Sequence, residues 1–448
     1  MNTNASFDAW TSISTEYKPF TGTFDGQNHT ISGLYINGTT GYVGLFGCVG
    51  TDGTAIGTVK KVTVTGSYVS GNSYVGGVCG YNKGGIVIGC HNSGRVTGNS
   101  SSTDGVCGKN EGTLENSSNN GEVTGNSFYT GGVCGNNVGG SVSGCYNTGM
   151  VTGTYQCVGG VCGQNTNSGT VEGSHNEGNV TSTDTNGQQV GGVCGQNDGG
   201  TVQNSYNTGE VSGSSDFGDV CGKNNRTVSN CYYLSATSGT DSNDPNAKTK
   251  EQFASGEVAY LLQKALDDAV TAAQVWEQRI GTDNPPVLSS DANYKVYPTK
   301  SDSPCKGYSN KENDSRDHQY ENGVCIYCGK QGIAYTVTIP ATVELGKTVT
   351  IEATGVTLPD GKELKVIVAE GSKFEVAQVD DNNIIVDKCA YTVTKGKDEI
   401  KPRDTVLTVE SSGAENSVEL LFNAPATTYS GTYTGTVTFT VSVDKATT

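Results

Sequence analysis

The tripeptide Val-Cys-Gly recurs at an almost constant interval, and no other feature constrains the fold of this chain as much. Its cysteines are Cys79, Cys107, Cys134, Cys162, Cys194 and Cys221, separated by 28, 27, 28, 32 and 27 residues. The stretch "YVGLFG" at Tyr42–Gly47 is an earlier copy with Phe46 in the cysteine slot. Other columns run in phase. A small residue recurs as Cys90, Ser117, Cys145, Ser174, Ser205 and Cys231, and an asparagine follows two places later as Asn92, Asn119, Asn147, Asn176 and Asn207. A valine recurs as Val96, Val123, Val151, Val180 and Val211, each followed by Thr or Ser. A fixed period of this length signals stacked units that bury their apolar faces against their neighbours.

A helical unit would need runs of 10–12 residues with apolar spacing of three and four. These copies instead offer three short Val/Thr/Tyr segments parted by Gly/Asn/Ser clusters, which is strand-and-turn composition. The 64 glycines come without a collagen period and with only 10 prolines, so they serve turns. The expected fold is a parallel β-helix of three strands per coil, rising roughly 4.8 Å per coil. The recurring asparagine fits a ladder at a coil corner.

The cysteine column reads as packing. The six equivalent cysteines sit in strands with few Lys, Arg or His residues, which offer no dedicated cation or helix N-terminus to lower a thiol pKa. Stacked strands also hold like side chains about 4.8 Å apart, beyond the roughly 3.8 Å Cβ separation a disulfide prefers. Cys79 and its five counterparts are therefore expected as buried, unpaired thiols. Val78 and Cys79 both face inward only if the strand bends, which the flanking glycines permit. Cys157 lies an odd number of residues before Cys162 and is expected outside, as a reactive exception. Free thiols outside the cell suit an anoxic habitat such as a gut.

"YVGLFG", "YVGGVCG" and "CVGGVCG" resemble the GLUG repeat of bacterial surface proteins, and the resemblance runs from about Phe20 to Tyr233. It implies a secreted or wall-attached bacterial protein with an adhesin-like role. GLUG repeats also flank the catalytic part of IgA-cleaving metalloproteases. This chain departs from those enzymes, since it has no HExxH and its histidines, His29, His91, His175 and His318, stand far apart.

The expected domains are a β-helix over 1–233, a linker and helical cap over 234–300, a Cys/His connector over 301–332 and an Ig-like β-sandwich over 333–448. Val258, Leu261, Leu262, Leu266 and Val270 recur at helical spacing, and a helix here would cover the open edge of the last coil. Phe7, Trp10, Phe20 and Phe24 are expected to plug the first coil. The connector offers Cys305, His318, Cys325 and Cys328, with a Cys-x-x-Cys-Gly resembling a zinc knuckle. Three thiolates and an imidazole suit a closed structural zinc site, and a segment this small and polar needs a staple. A disulfide from Cys305 to one of the pair, or reduced thiols, remain alternatives. From Ala334 onward, at least seven short runs alternate in period two, which suggests an antiparallel sandwich. Lone Cys389 reads as a buried small residue.

A formal charge of −17 without basic clusters argues against nucleic acid, and no apolar run spans a membrane. Met1 opens without a signal-peptide layout and no sorting tail follows "VSVDKATT", so a piece of a longer protein is expected. Acids in the coils form partial rows that vary between copies, as on a solvated face. The functional expectation is a non-catalytic, extracellular, secreted or cell-wall attached protein that binds a host or microbial surface glycan or glycoprotein. Exposed aromatics Tyr74, Phe128, Tyr129, Tyr146, Tyr155 and Tyr206 would form the binding surface. The alternatives are a carbohydrate-active β-helix lyase or hydrolase, and a passive stalk.

Overall fold

Parallel pairing of each copy with the next turns the repeat into a solenoid. The structure, a computed structural model, describes residues 9–183, 189–213, 216–235, 244–267, 275–281, 285–289, 293–321, 324–325, 327–328, 330, 332–358, 361–410, 416–427 and 430–445. Phe7, Val270 and residues 236–243 of the linker lie outside that set. The chain divides into two compact units, Met1–Ser315 and Arg316–Thr448.

In the first unit one seven-stranded sheet runs from Phe46–Gly50 through Cys79–Lys83 to Cys221–Asn224, wholly parallel. Its register sets Phe46, Cys79, Cys107, Cys134, Cys162, Cys194 and Cys221 side by side. A second seven-stranded sheet carries the valine column, and a six-stranded sheet runs from Val75–Gly76 to Phe217–Gly218. A fifteen-stranded sheet takes two runs from most coils, such as Ser141–Ser143 and Tyr146–Asn147. A coil thus holds five short strands, not the three expected. Left-handed residues such as Gly144 (φ 61°) and Tyr129 (φ 63°) break runs that period-two reading joins.

The bend at Val-Cys is present and has a specific form. Val106 and Cys107 both donate to the Val133 carbonyl, and Val161 and Cys162 both donate to that of Val193. Two residues opposing one is the arrangement of a β-bulge, and it turns both side chains inward. The valine and cysteine of each copy from Val78 to Cys194 are fully buried in one core.

Two asparagine ladders run through the solenoid. The expected one joins Asn92, Asn119, Asn147, Asn176 and Asn207 by amide-to-carbonyl bonds of 2.8–2.9 Å. A second joins Asn82, Asn110, Asn137, Asn165, Asn197 and Asn224 at 2.8–3.1 Å. Its signal, Cys-Gly-x-Asn in every copy, is plain in the sequence and escaped the reading above.

At the first coil Phe20 and Phe24 pack on Phe46, with centroids 5.0 and 5.4 Å away. Trp10 is 41 % exposed and is not part of that plug. At the other end Ala247–Lys248 adds a parallel strand beside Tyr232–Leu234. Helices α1 (Lys250–Ala254) and α2 (Glu257–Asp267) follow, α1 starting in a Thr249/Gln252 capping box. Gly256, at φ 92°, separates them. Phe253, Val258, Leu262, Leu266 and Trp276 form one buried cluster with Tyr206.

In the second unit a five-stranded and a three-stranded antiparallel sheet share one core. Asn416–Asn423 shows the cause, since Val418, Leu420 and Phe422 alternate inward. Cys389 is buried, as its setting on a strand suggested.

Candidate functional site

The expected binding aromatics fall into two separate rows. The first begins at a coil corner where Tyr42, Tyr74, Ser102, Tyr129, Cys157, Gln189 and Asp216 each precede a paired strand residue. All seven have φ between 47° and 69°. Non-glycine residues rarely adopt that region, and its repetition in every coil marks it as part of the architecture.

Tyr42 and Tyr74 stack at 5.0 Å, and Tyr81 lies 6.2 Å from Tyr74. Lys109 Nζ sits 4.9 Å above the Tyr81 ring, and Glu111 ties the group together. Its carboxylate accepts from Tyr81 Oη at 2.6 Å and pairs with Lys109 at 2.7 Å. Burial and the Glu111 bond raise the Tyr81 pKa, whereas Lys109 and Tyr81 hold Glu111 low against its own desolvation. Further along, Phe128 meets Tyr155 edge-on at 4.5 Å and lies 5.8 Å from Tyr129. Tyr42, Tyr81, Lys109 and Glu111 were missed from sequence. Tyr42 heads the first copy and was readable there, but the Lys109 contact needs the strand register.

The second row is a stack of Tyr146 on His175 at 5.1 Å and His175 on Tyr206 at 4.8 Å, with the ring planes nearly parallel. Tyr146 keeps 36 % exposure, but Tyr206 has none. Tyr206 packs on Phe253 and Trp276 and donates to the Pro286 carbonyl at 2.7 Å. It is therefore a docking point for the helical segment, and its expected role as an exposed anchor is corrected. Burial lowers the His175 pKa to about 3, so the ring is neutral.

The expectation for Cys157 is also corrected. Its sulfur is buried against Gln189 Oε1 at 2.9 Å and Gln196 Oε1 at 3.3 Å, and burial lifts its pKa to about 12. Burial likewise puts Cys90, Cys145 and Cys231 at about 12, and raises Cys107 and Cys134.

The connector brings its four candidate ligands together: one atom each from Cys305, His318, Cys325 and Cys328, all within 4.8 Å of one another. Cys328 Sγ lies 3.4 Å from His318 Nδ1. Tyr320–Glu321 and Val324–Cys325 form a short antiparallel ladder, and the Cys325 amide donates to the Lys330 carbonyl at 2.9 Å. Arg316 covers the Tyr327 ring at 3.9 Å. Desolvation opposes ionisation of Cys325, but the Tyr327 amide, His318 and the Cys328 amide outweigh it and bring its pKa to about 6.

These features define a class: a parallel β-helix repeat protein with an interior of thiol and asparagine ladders and aromatic rows along its corners. Two of the chain's coils match the GLUG motif, at residues 154–181 and 186–212. No curated protein sequence matches the chain. Among solved structures it is similar to that of a candidate immunoglobulin A1 protease from Bacteroides ovatus. The identity is 18%, over 63% of this chain and 82% of that one, with a TM-score of 0.37. That likeness is too distant to carry an argument about activity.

Proposed function

We propose that this protein is a non-catalytic, extracellular binding protein, secreted or held at a bacterial cell wall, that displays an aromatic corner to a surface glycan or glycoprotein. The observation that supports this is the first aromatic row. Tyr42, Tyr74 and Tyr129 are only partly buried and sit at left-handed corners, with half-buried Phe128 and exposed Tyr155 packed edge-on to one another beside Tyr129. A rigid aromatic face stacks on sugar rings with little entropy lost. The nearby acids serve other bonds: Glu111 is engaged by Lys109 and Tyr81, and Glu122 pairs with Arg95 at 3.3 Å. Such pairing suits a solvated wall better than an acid–base site.

A glycan and mucin array probed with the whole chain tests this reading. Binding to a defined glycan set, reduced at least ten-fold in a Tyr74→Ala/Phe128→Ala/Tyr155→Ala variant of unchanged circular dichroism, is expected. Signal no higher than background would favour a passive stalk. Mass spectrometry showing array sugars shortened after incubation would favour an enzyme.

A further inference from the structure

We infer that Cys305, His318, Cys325 and Cys328 bind one zinc ion, in a closed structural site of three thiolates and an imidazole. The inference is independent of what the solenoid binds. It rests first on geometry. In a tetrahedral site with Zn–S near 2.3 Å and Zn–N near 2.0–2.1 Å, sulfurs stand about 3.8 Å apart and sulfur to nitrogen about 3.6 Å. The pair Cys328 Sγ and His318 Nδ1 is at 3.4 Å, and no pair among the four ligand atoms exceeds 4.8 Å. Closing the group on a single ion takes shifts of about an ångström or less.

The local backbone adds a second argument. Cys325 ends one strand of a two-stranded ladder, and Cys328 follows it after two residues, in a turn closed by the Cys325 amide on the Lys330 carbonyl. The amides of Tyr327 and Cys328 are directed at the Cys325 sulfur, where they stabilise a metal-bound thiolate. Stability supplies a third. Cys305 and Cys325 are the only wholly buried apolar side chains among the described residues of 301–332, so packing alone supplies little order there. Four protein ligands leave no open position for a water, which makes the ion a staple and not a Lewis acid. A soft sulfur-rich donor set selects zinc over calcium or magnesium, and its binding releases the thiol protons.

The test is the metal content of the whole chain, purified with reductant and measured by mass spectrometry of the elements. One zinc per chain is expected, falling at least ten-fold in Cys325→Ser/Cys328→Ser and unchanged in Cys221→Ser, which alters an accessible thiol of the solenoid. Cobalt(II) added to the metal-free protein should give the intense visible bands of a tetrahedral thiolate site, absent in the double variant. Circular dichroism of the solenoid should be equal in all variants, which separates ligand loss from misfolding. Zinc that persists in the double variant would overturn the assignment. So would metal-free protein that takes up no zinc. A chain isolated two hydrogens light, with Cys305 linked to Cys325 or Cys328, would replace the ion with a disulfide.

Discussion

The amides of Val78 and Cys79 both donate to the carbonyl of Val106, at 3.1 and 2.9 Å. Two successive residues thereby share one acceptor in the next coil and both side chains enter the core. The repeated cysteine is therefore a packing unit: Cys79 lies between Phe46 and Cys107, and Cys107 to Cys194 each lie between two other cysteines.

Thiol labelling follows directly. Cys79, Cys107, Cys134, Cys162 and Cys194 are fully buried, whereas Cys221 in the last coil is only half-buried. In native protein at pH 8 an alkylating reagent should modify Cys221 first and leave the other five untouched until denaturant is added. Peptide mass spectrometry reads each site. Rapid native modification of the five would refute the packing role.

The asparagine ladders should dominate local stability. Asn137 donates to Asn165 Oδ1 at 2.8 Å and to the Gly140 carbonyl at 2.9 Å, and accepts from Asn110. Asn137→Ala leaves buried partners unsatisfied and should cost about 1–3 kcal/mol. Denaturant titration should show a lower midpoint, while Asn126→Ala, an exposed pair with Asn99, should shift it little.

His175 predicts acid sensitivity. Its folded pKa is depressed to about 3, below the unfolded value near 6.5. Its contribution is thus fully present above about pH 6.5 and is lost between there and pH 3, at up to about 1.4 kcal/mol per pH unit. Tyrosine occupies the same slot at Tyr146 and Tyr206. His175→Tyr should keep the stack and flatten the melting temperature between pH 6.5 and 4.5.

Asp104 predicts the opposite slope. It stands where the other copies carry Gly76, Gly131 and Gly159. It is wholly buried, and its Oδ2 accepts from the Gly135 amide at 3.1 Å. Its Oδ1 has no hydrogen-bond partner among the described residues. Burial raises its pKa well above the usual range, so it favours folding below about pH 4 and increasingly opposes it as pH rises. Asp104→Asn keeps the acceptor for Gly135 and should stabilise the protein by about 1–3 kcal/mol at pH 7, but little at pH 4. Equal melting shifts at both pH values would count against a buried ionisable carboxyl.

The helical segment depends on its contact with the aromatic stack. Trp276→Ala empties a fully buried site and should cost about 3–5 kcal/mol, seen as earlier proteolysis within 247–289. Tyr206→Phe removes the hydroxyl that bonds the Pro286 carbonyl and the Glu177 side chain and should cost about 1–3 kcal/mol.

Much of this architecture was legible in the chain because a repeat in constant register determines which residues stack. The thiol column and one asparagine ladder could be named from spacing alone, as could the alternation in 416–423. Legibility failed where the backbone leaves a periodic path. Left-handed corners split three apparent strands into five, and the same corners put Cys157 under glutamine side chains. It failed again where distant segments meet, as when Trp276 and Phe253 cover Tyr206. Period and residue type determine which side chains lie in a column, since each coil repeats the same hydrogen bonds. Which columns remain open to solvent was decided only by the tertiary structure, because burial depends on what the chain packs against them from 70 residues away.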